Sequence, residues 1–441
     1  MARSPRVPLA ESLLALLWLA ALVRIFWPDP GMAAASGGIL TVYIAVVFTR
    51  VRRQMQILFG VLGALAVILA VWLDGWGALW QGVENSVIFA AFFGTLTLLR
   101  ATADQRPEIT RARTLVDRLK PDERDSGLLV GTSILGSVLV VGVMAIFAPI
   151  VGREAPSGMR LGAAEACQRG MCLACLWSPF WIAMAMSYEH LPQVPLWQVL
   201  VLGLSLNALG LVTAQLMYTR DVGMAGLGRA LAAFLPVVPP VALAAAVVLA
   251  LKALTPFGTL QCLVLGVPVL CLAALAVQGR ERLWIAVRQS ATGIGAVRAE
   301  ISLLTAAMAL GQVLVVALEA SGFGTWLAGL EPPAWTMLLM AAGGMTVLAF
   351  AGVHQFVTAT VMLVLFSTID FGIDPLLLMM SVLLGWSFSS MTGLSAVSVA
   401  SAAAMFAVPV EKIAYGHNLR FVAVFGGAGV AILSGLDLMI G

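Results

Sequence analysis

A chain of 441 residues that is 61% hydrophobic and only 11% charged carries more apolar side chain than a soluble interior could hide. That balance excludes a soluble globular protein and indicates an all-α polytopic membrane protein. The net charge of +3 matters only through its distribution along the chain, and no nucleic-acid partner is expected.

In chain order, Arg3 and Arg6 form a short basic start, which the positive-inside rule places in the cytoplasm. Apolar runs follow near 10–27, 36–50, 56–74 and 85–101, none with a small-residue cleavage site behind the first. Arg24, near the end of the first run, reads as a side chain snorkelling to the interface. Pro28-Asp29-Pro30-Gly31 ends that run, and Arg50, Arg52 and Arg53 mark a return to the basic side. Residues 100–125 are the one long polar stretch, with seven basic and six acidic residues. Ile109, Leu115 and Leu119 give the part 109–119 the apolar side of an amphipathic interfacial helix.

Further runs lie near 126–150, 195–217, 230–252, 257–278, 299–320, 375–401 and 418–440. The expected total is about eleven transmembrane helices plus two re-entrant or broken segments, 163–190 and 334–368. The stretch from Gly127 aligns without a gap on the stretch from Ser302, placing Leu135-Gly136 on Leu310-Gly311. The same register sets Ser178-Pro179 against Val353-His354, and a later gap brings Pro195-Leu196 onto Pro375-Leu376. We read this as an internal two-fold repeat. The resulting division is 1–84 as additional N-terminal spans, 85–252 as the first repeat and 253–441 as the second. Two basic loops on one side would favour parallel repeats. The meeting of two site-forming segments from opposite sides favours inverted ones, and we read them as inverted.

A helix broken inside a bilayer frees backbone N–H and C=O groups, which are tolerated only against protein, water or a ligand. Ser178-Pro179 suits such a break, because Pro179 lacks an N–H and Ser178 can cap the following arm. His354, Gln355 and Thr358 place hydrogen-bonding groups in the second segment, and Asn207 interrupts the span after the first. The run GWSFSSMTGLSAVS holds Ser389, Ser390 and Thr392 and is unusually polar for lipid contact. Ser178, Pro179, Asn207, His354, Gln355, Thr358, Ser389, Ser390 and Thr392 are therefore the expected substrate- or ion-binding positions. The competing reading is helix packing through small residues. For His354 the alternatives are a protonation switch or a histidine bonded to a nearby carbonyl.

Glu165 and Arg169, four residues apart on one helical face, are candidate charge partners, and Arg169 could instead hold an anion. Cys167, Cys172, Cys175, Cys262 and Cys271 all lie in apolar segments and read as packing residues. No His or acid completes a metal-ligand set around the first three. No catalytic residue or cofactor is expected: the histidines His190, His354 and His417 are too dispersed for a catalytic cluster, and no P-loop occurs.

The segments 163–190 and 334–368, each followed by a polar-interrupted span and related by a repeat, resemble the ion transporter superfamily of elevator-type carriers. That superfamily includes divalent-anion/sodium symporters, arsenite-type permeases and TRAP large subunits. The tips here read Trp177-Ser178-Pro179 and Val353-His354-Gln355, where the symporters carry paired Ser-Asn-Thr signatures. The arginine-bearing arm before Leu176-Trp177-Ser178-Pro179 also resembles a set of uncharacterised bacterial membrane proteins. The resemblance implies a secondary carrier of a small anionic solute in the bacterial inner membrane, coupled to H+ or Na+. It also implies a sliding domain, a scaffold able to form a homodimer, and contact with membrane lipids. The alternative class is a protein acting on lipid or a lipid-linked substrate, as exporter, enzyme or accessory subunit.

Overall fold

The computed structural model describes residues 9–106 and 123–440, so the amphipathic segment expected at 109–119 lies outside the described residues. The protein is an all-α polytopic membrane protein. Among the described residues, eleven helical stretches are long and apolar enough to cross a bilayer. Local chemistry explains several of their starts. Asp29 Oδ2 accepts from the Met32 N–H at 2.9 Å and Asp374 Oδ1 from the Leu376 N–H at 2.7 Å. In both cases a proline, Pro30 or Pro375, occupies the first helical position, where a missing N–H costs nothing.

The chain folds into two compact units, each made of two stretches of sequence: Met1–Gln105 with Ala250–Trp326, and Arg106–Leu249 with Leu327–Gly441. In the first unit, helix Arg298–Ser321 packs on Arg53–Trp72 and Trp76–Asn85, and Val87–Asp104 packs on Leu9–Phe26, Thr259–Gln278 and Arg280–Gly293. Gly82 permits one of these approaches, since a Cβ there would lie 2.5 Å from the Ala309 Cα. Arg24 does not simply snorkel. Its guanidinium donates to the Glu84 carbonyl at 2.7 Å and to Ser36 Oγ at 3.2 Å, tying three helices together.

Among the described residues, the second unit holds four interrupted elements rather than two. Helix Arg124–Leu139 ends at Val140 (φ 51°, ψ −128°), and Val143–Val151 doubles back, so that Phe147 packs over Gly131. This first hairpin was expected to be an ordinary span. The first broken helix comprises Ser157–Ala174 and Ile182–His190. Its long arm runs parallel to Arg124–Leu139, with Gly162 beside Asp125 and Gly136 against Met171. It runs antiparallel to Leu196–Tyr218, with Arg169 at Tyr218, Leu173 at Gly210 and Leu176 at Gly203. If the short arm doubled back, the link from His190 to Leu196 would have to cover about 24 Å, beyond its full reach of about 21 Å. Segment 163–190 is therefore part of a complete crossing, not a re-entrant loop.

Segment 334–368 is different. Ala334–Phe350, which contains a π-helical turn at Met340–Gly344, enters, and Gln355–Thr368 returns. Met345 and Gln355 both face the neighbouring Ser389-Ser390, one on each side of the turn. This is the second hairpin. Its neighbour is the second broken helix, Pro375–Thr392 and Val397–Phe406, interrupted at Gly393 to Ala396. Each hairpin thus precedes a broken helix, and helices Leu196–Tyr218 and His417–Ile440 follow as antiparallel partners. The two broken helices cross antiparallel: Gln168 meets Ser390, and Cys172 meets Ser387. The two sets are inverted. The sequence register that set 163–190 against 334–368 paired a broken helix with a hairpin. Their structural counterparts are 375–406 and 124–151 respectively.

Candidate functional site

The crossing of the two broken helices, with the hairpin ends beside it, is where buried polar groups concentrate in the second unit. At its centre the Ser390 carbonyl, near the end of its helix, accepts from Gln168 Nε2 at 2.7 Å and from Ser398 Oγ at 2.6 Å. Ser390 Oγ donates to Gln355 Oε1 at 3.0 Å. Four segments therefore meet at one junction: the long arm of the first broken helix, both arms of the second, and the returning arm of the second hairpin. Gln355 begins helix Gln355–Thr368 and Ser398 stands second in Val397–Phe406, so two helix N-termini converge there. Such ends carry unpaired N–H groups and a positive dipole.

His354 caps the first of these helices. Its Nδ1 accepts from the Phe356 N–H at 3.3 Å, which places the neutral ring's hydrogen on Nε2. The ring stacks on Phe356 at 5.2 Å, and Phe356 meets the edge of Trp386 at 5.2 Å. Ser389 Oγ donates to the Met345 carbonyl at 3.0 Å, joining the second broken helix to the second hairpin. Thr358 and Thr392 bond carbonyls of their own helices, at Gln355 and Phe388, and hydrogen-bond no other element among the described residues.

Ser178, Pro179 and Asn207 lie at the other end of the crossing. Ser178 Oγ donates to the Ser137 carbonyl at 2.5 Å and accepts from the Phe180 N–H at 3.2 Å. Trp181 Nε1 donates to the Gly136 carbonyl at 3.0 Å. These carbonyls end helix Arg124–Leu139, so the break in one element caps the turn of the other. Asn207 Oδ1 accepts from Ser133 Oγ at 2.8 Å. The nine expected binding positions thus fall into two groups, and only Gln355 and Ser390 enter the central junction, with His354 and Ser389 next to it.

Glu165 and Arg169 are both buried, but neither bonds the other directly. Glu165 accepts from the backbone N–H of His417 at 2.9 Å and lies 2.8 Å from its Nδ1. Arg169 donates to Asn418 Oδ1 at 3.1 Å and stands 4.2 Å over the Tyr218 ring. Gln168, Tyr218, His417 and Asn418 were not singled out as site residues from the sequence. His417 is remote along the chain, and Gln168 was overshadowed by its charged neighbour.

Several buried polar atoms here have no hydrogen-bond partner among the described residues: Gln168 Oε1, Arg169 Nε, Trp177 Nε1 and Trp386 Nε1. Three of the four are N–H donors, and a buried donor without an acceptor is costly. The five cysteines are buried and free. In comparisons with known proteins, the sequence matches no family model and no curated protein.

Proposed function

We propose that this protein is a secondary active transporter of a small anionic solute, coupled to H+ or Na+, in the bacterial inner membrane. The observation that carries this reading is the Gln168–Ser390–Gln355–Ser398 junction, buried where two inverted broken helices cross. Polar groups at bilayer depth are expensive and mark solute or ion paths, and inverted pairs of broken helices are a recurring way to build such paths. Converging helix N-termini and the N–H groups of Arg169 Nε, Trp177 Nε1 and Trp386 Nε1, which have no partner among the described residues, favour a ligand rich in acceptors. The reading keeps the likeness to the ion transporter superfamily, in which the unit carrying the hairpins would be the moving body of an elevator and the carrier a homodimer.

The test is uptake by proteoliposomes of small carboxylates and oxyanions under imposed pH and Na+ gradients. Gradient-driven uptake is expected. It should weaken about tenfold in Gln355→Ala or Ser390→Ala, the equivalent of ~1.4 kcal/mol. No uptake of any anion under either gradient would overturn the reading and favour a lipid-handling protein.

A further inference from the structure

The first unit separates its charges by end. Arg50, Arg52 and Arg53 follow helix Pro30–Phe48, and Arg100 lies one turn from the end of Val87–Asp104. Arg280, Arg282 and Arg288 lie on Arg280–Gly293, and Arg298 opens Arg298–Ser321. Packing gathers these segments at one end: Ala101, Leu275 and Ala286 form one buried cluster, Ser290 Oγ is 3.0 Å from Thr97 Oγ1, and Glu300 is within electrostatic reach of Arg100 and Arg52. Helix Leu9–Phe26 starts there too, since its last residue, Phe26, meets Phe257 at the opposite end of Thr259–Gln278. Among the described residues, these eight arginines share their end with four carboxylates, Glu11, Asp104, Glu281 and Glu300, and none of the eight forms an ion pair. The rest of the unit reverses the balance, with Arg24 and Lys252 against Asp29, Asp74, Glu84 and Glu319.

Polar atoms are left over where helices Pro30–Phe48, Val87–Asp104 and Arg298–Ser321 reach this end. Tyr43 is 0% exposed, and its hydroxyl has no hydrogen-bond partner among the described residues; nor has buried Arg100 Nε or Glu300 Oε2. Arg298 and Glu300 are within electrostatic reach of Tyr43, and Glu300 and Asp104 within reach of Arg100. Arg52, Arg100 and Arg298 thus gather around Tyr43 and Glu300, with Asp104 as a further carboxylate. A buried O–H and a buried guanidinium N–H without acceptors are costly, and one oxyanion satisfies both. Helix Arg280–Gly293 packs on Val87–Asp104 through Ala286 and Ser290. Its other side exposes Arg280, Arg282 and Arg288 together with Trp284, which is 64% exposed. A short helix with tryptophan and arginines on its outer side has the composition of one lying in the headgroup layer.

We propose that this end of the first unit binds an anionic phospholipid. Its phosphate is held by Arg52, Arg100 and Arg298 and accepts from the Tyr43 hydroxyl, while Trp284 and Arg288 sit in the headgroup layer beside it. The two unesterified oxygens of a phosphodiester offer enough lone pairs for guanidinium and phenol donors together. What favours a lipid over a free phosphate is the neighbouring wall. Ile57, Val61 and Ile68 lie exposed along helix Arg53–Trp72, which begins at this end, and they suit acyl chains. By the positive-inside rule the leaflet is the cytoplasmic one, where anionic lipids attract clustered arginines. The site does not depend on whether the protein carries a solute.

The test is lipid retention by the full protein, immobilised in detergent and equilibrated with phosphatidylglycerol and phosphatidylcholine of the same acyl chains. Retained lipid is then extracted and quantified by mass spectrometry. Phosphatidylglycerol should be retained at about a tenfold lower concentration than phosphatidylcholine, the size of a charge-assisted hydrogen bond or more. Arg298→Gln should remove most of that preference and Tyr43→Phe should weaken it severalfold. Arg220→Gln, which neutralises an exposed arginine of the second unit, should leave it unchanged. Where Tyr43→Phe does not fold, Arg298→Gln, at a partly exposed position, decides. Equal retention of the two lipids overturns the site, as does a preference that survives Arg298→Gln or falls equally in Arg220→Gln. Displacement of phosphatidylglycerol by inorganic phosphate, but not by chloride of equal ionic strength, would assign the pocket to a free anion and overturn the lipid.

Discussion

Ser178 shows how a polar residue inside a membrane protein is used locally. Its hydroxyl both donates to the Ser137 carbonyl and accepts from the Phe180 N–H, so it is occupied in closing two chain breaks at once. Ser178→Ala should therefore cost about 1–2 kcal/mol of stability, the usual size of a lost cap plus an unsatisfied carbonyl. It should leave solute affinity unchanged in any variant that folds. Thermal unfolding in detergent, set beside solute binding, separates these outcomes, and a stable variant with lost binding would restore Ser178 to the site. Gln355 and Ser390 differ from Ser178 because their partners lie on other elements. Val140 is the opposite case: a β-branched residue at φ 51° has no local preference for that conformation and is held there by the hairpin around it.

At the scale of elements, the decisive geometry is the crossing of the two long arms of the broken helices. Helix Ser157–Ala174 meets Pro375–Thr392 through Gln168 to Ser390 and Cys172 to Ser387, pairings whose order fixes an antiparallel arrangement. In a protein with Cys167→Ala and Cys175→Ala, Ser387→Cys should be joined to Cys172 by membrane-permeant copper-phenanthroline oxidation. Peptide mapping should find the 172 and 387 peptides linked within one chain. Absence of that link in folded protein would refute the crossing. Close approach depends on small residues: Gly136 sits against Met171 and Gly203 against the break at Leu176-Trp177, contacts that a larger side chain would push apart.

At the scale of the whole molecule, the inverted arrangement places the loops after the two hairpins on opposite sides of the membrane. Glu154 and Asp370 are exposed in those loops. In intact cells, an impermeant maleimide should label only one of Glu154→Cys and Asp370→Cys, and in inverted membrane vesicles only the other. Labelling of both from the same side would overturn the inversion.

The all-α, many-span character of this protein was legible from the amino-acid sequence alone, because apolar runs of bilayer length leave a chain few other structures. The pair Ser178-Pro179, the tip at His354-Gln355 and the polar run from Ser387 likewise marked three of the four interruptions, since proline and clustered polar groups are unusual in lipid. The fourth was harder to read. Nothing in Val140-Val141 announces a hairpin turn, and a hairpin of apolar arms has the composition of a span. The same lack of contrast allowed a broken helix and a hairpin to align in sequence, because apolar segments of similar length match whatever their path. Only the tertiary structure decided which segments turn back and which continue, since that depends on the partners each break finds. It also brought His417 to Glu165 and Ser390 to Gln168. Those contacts join residues more than two hundred positions apart, and helical periodicity carries information only across a few turns.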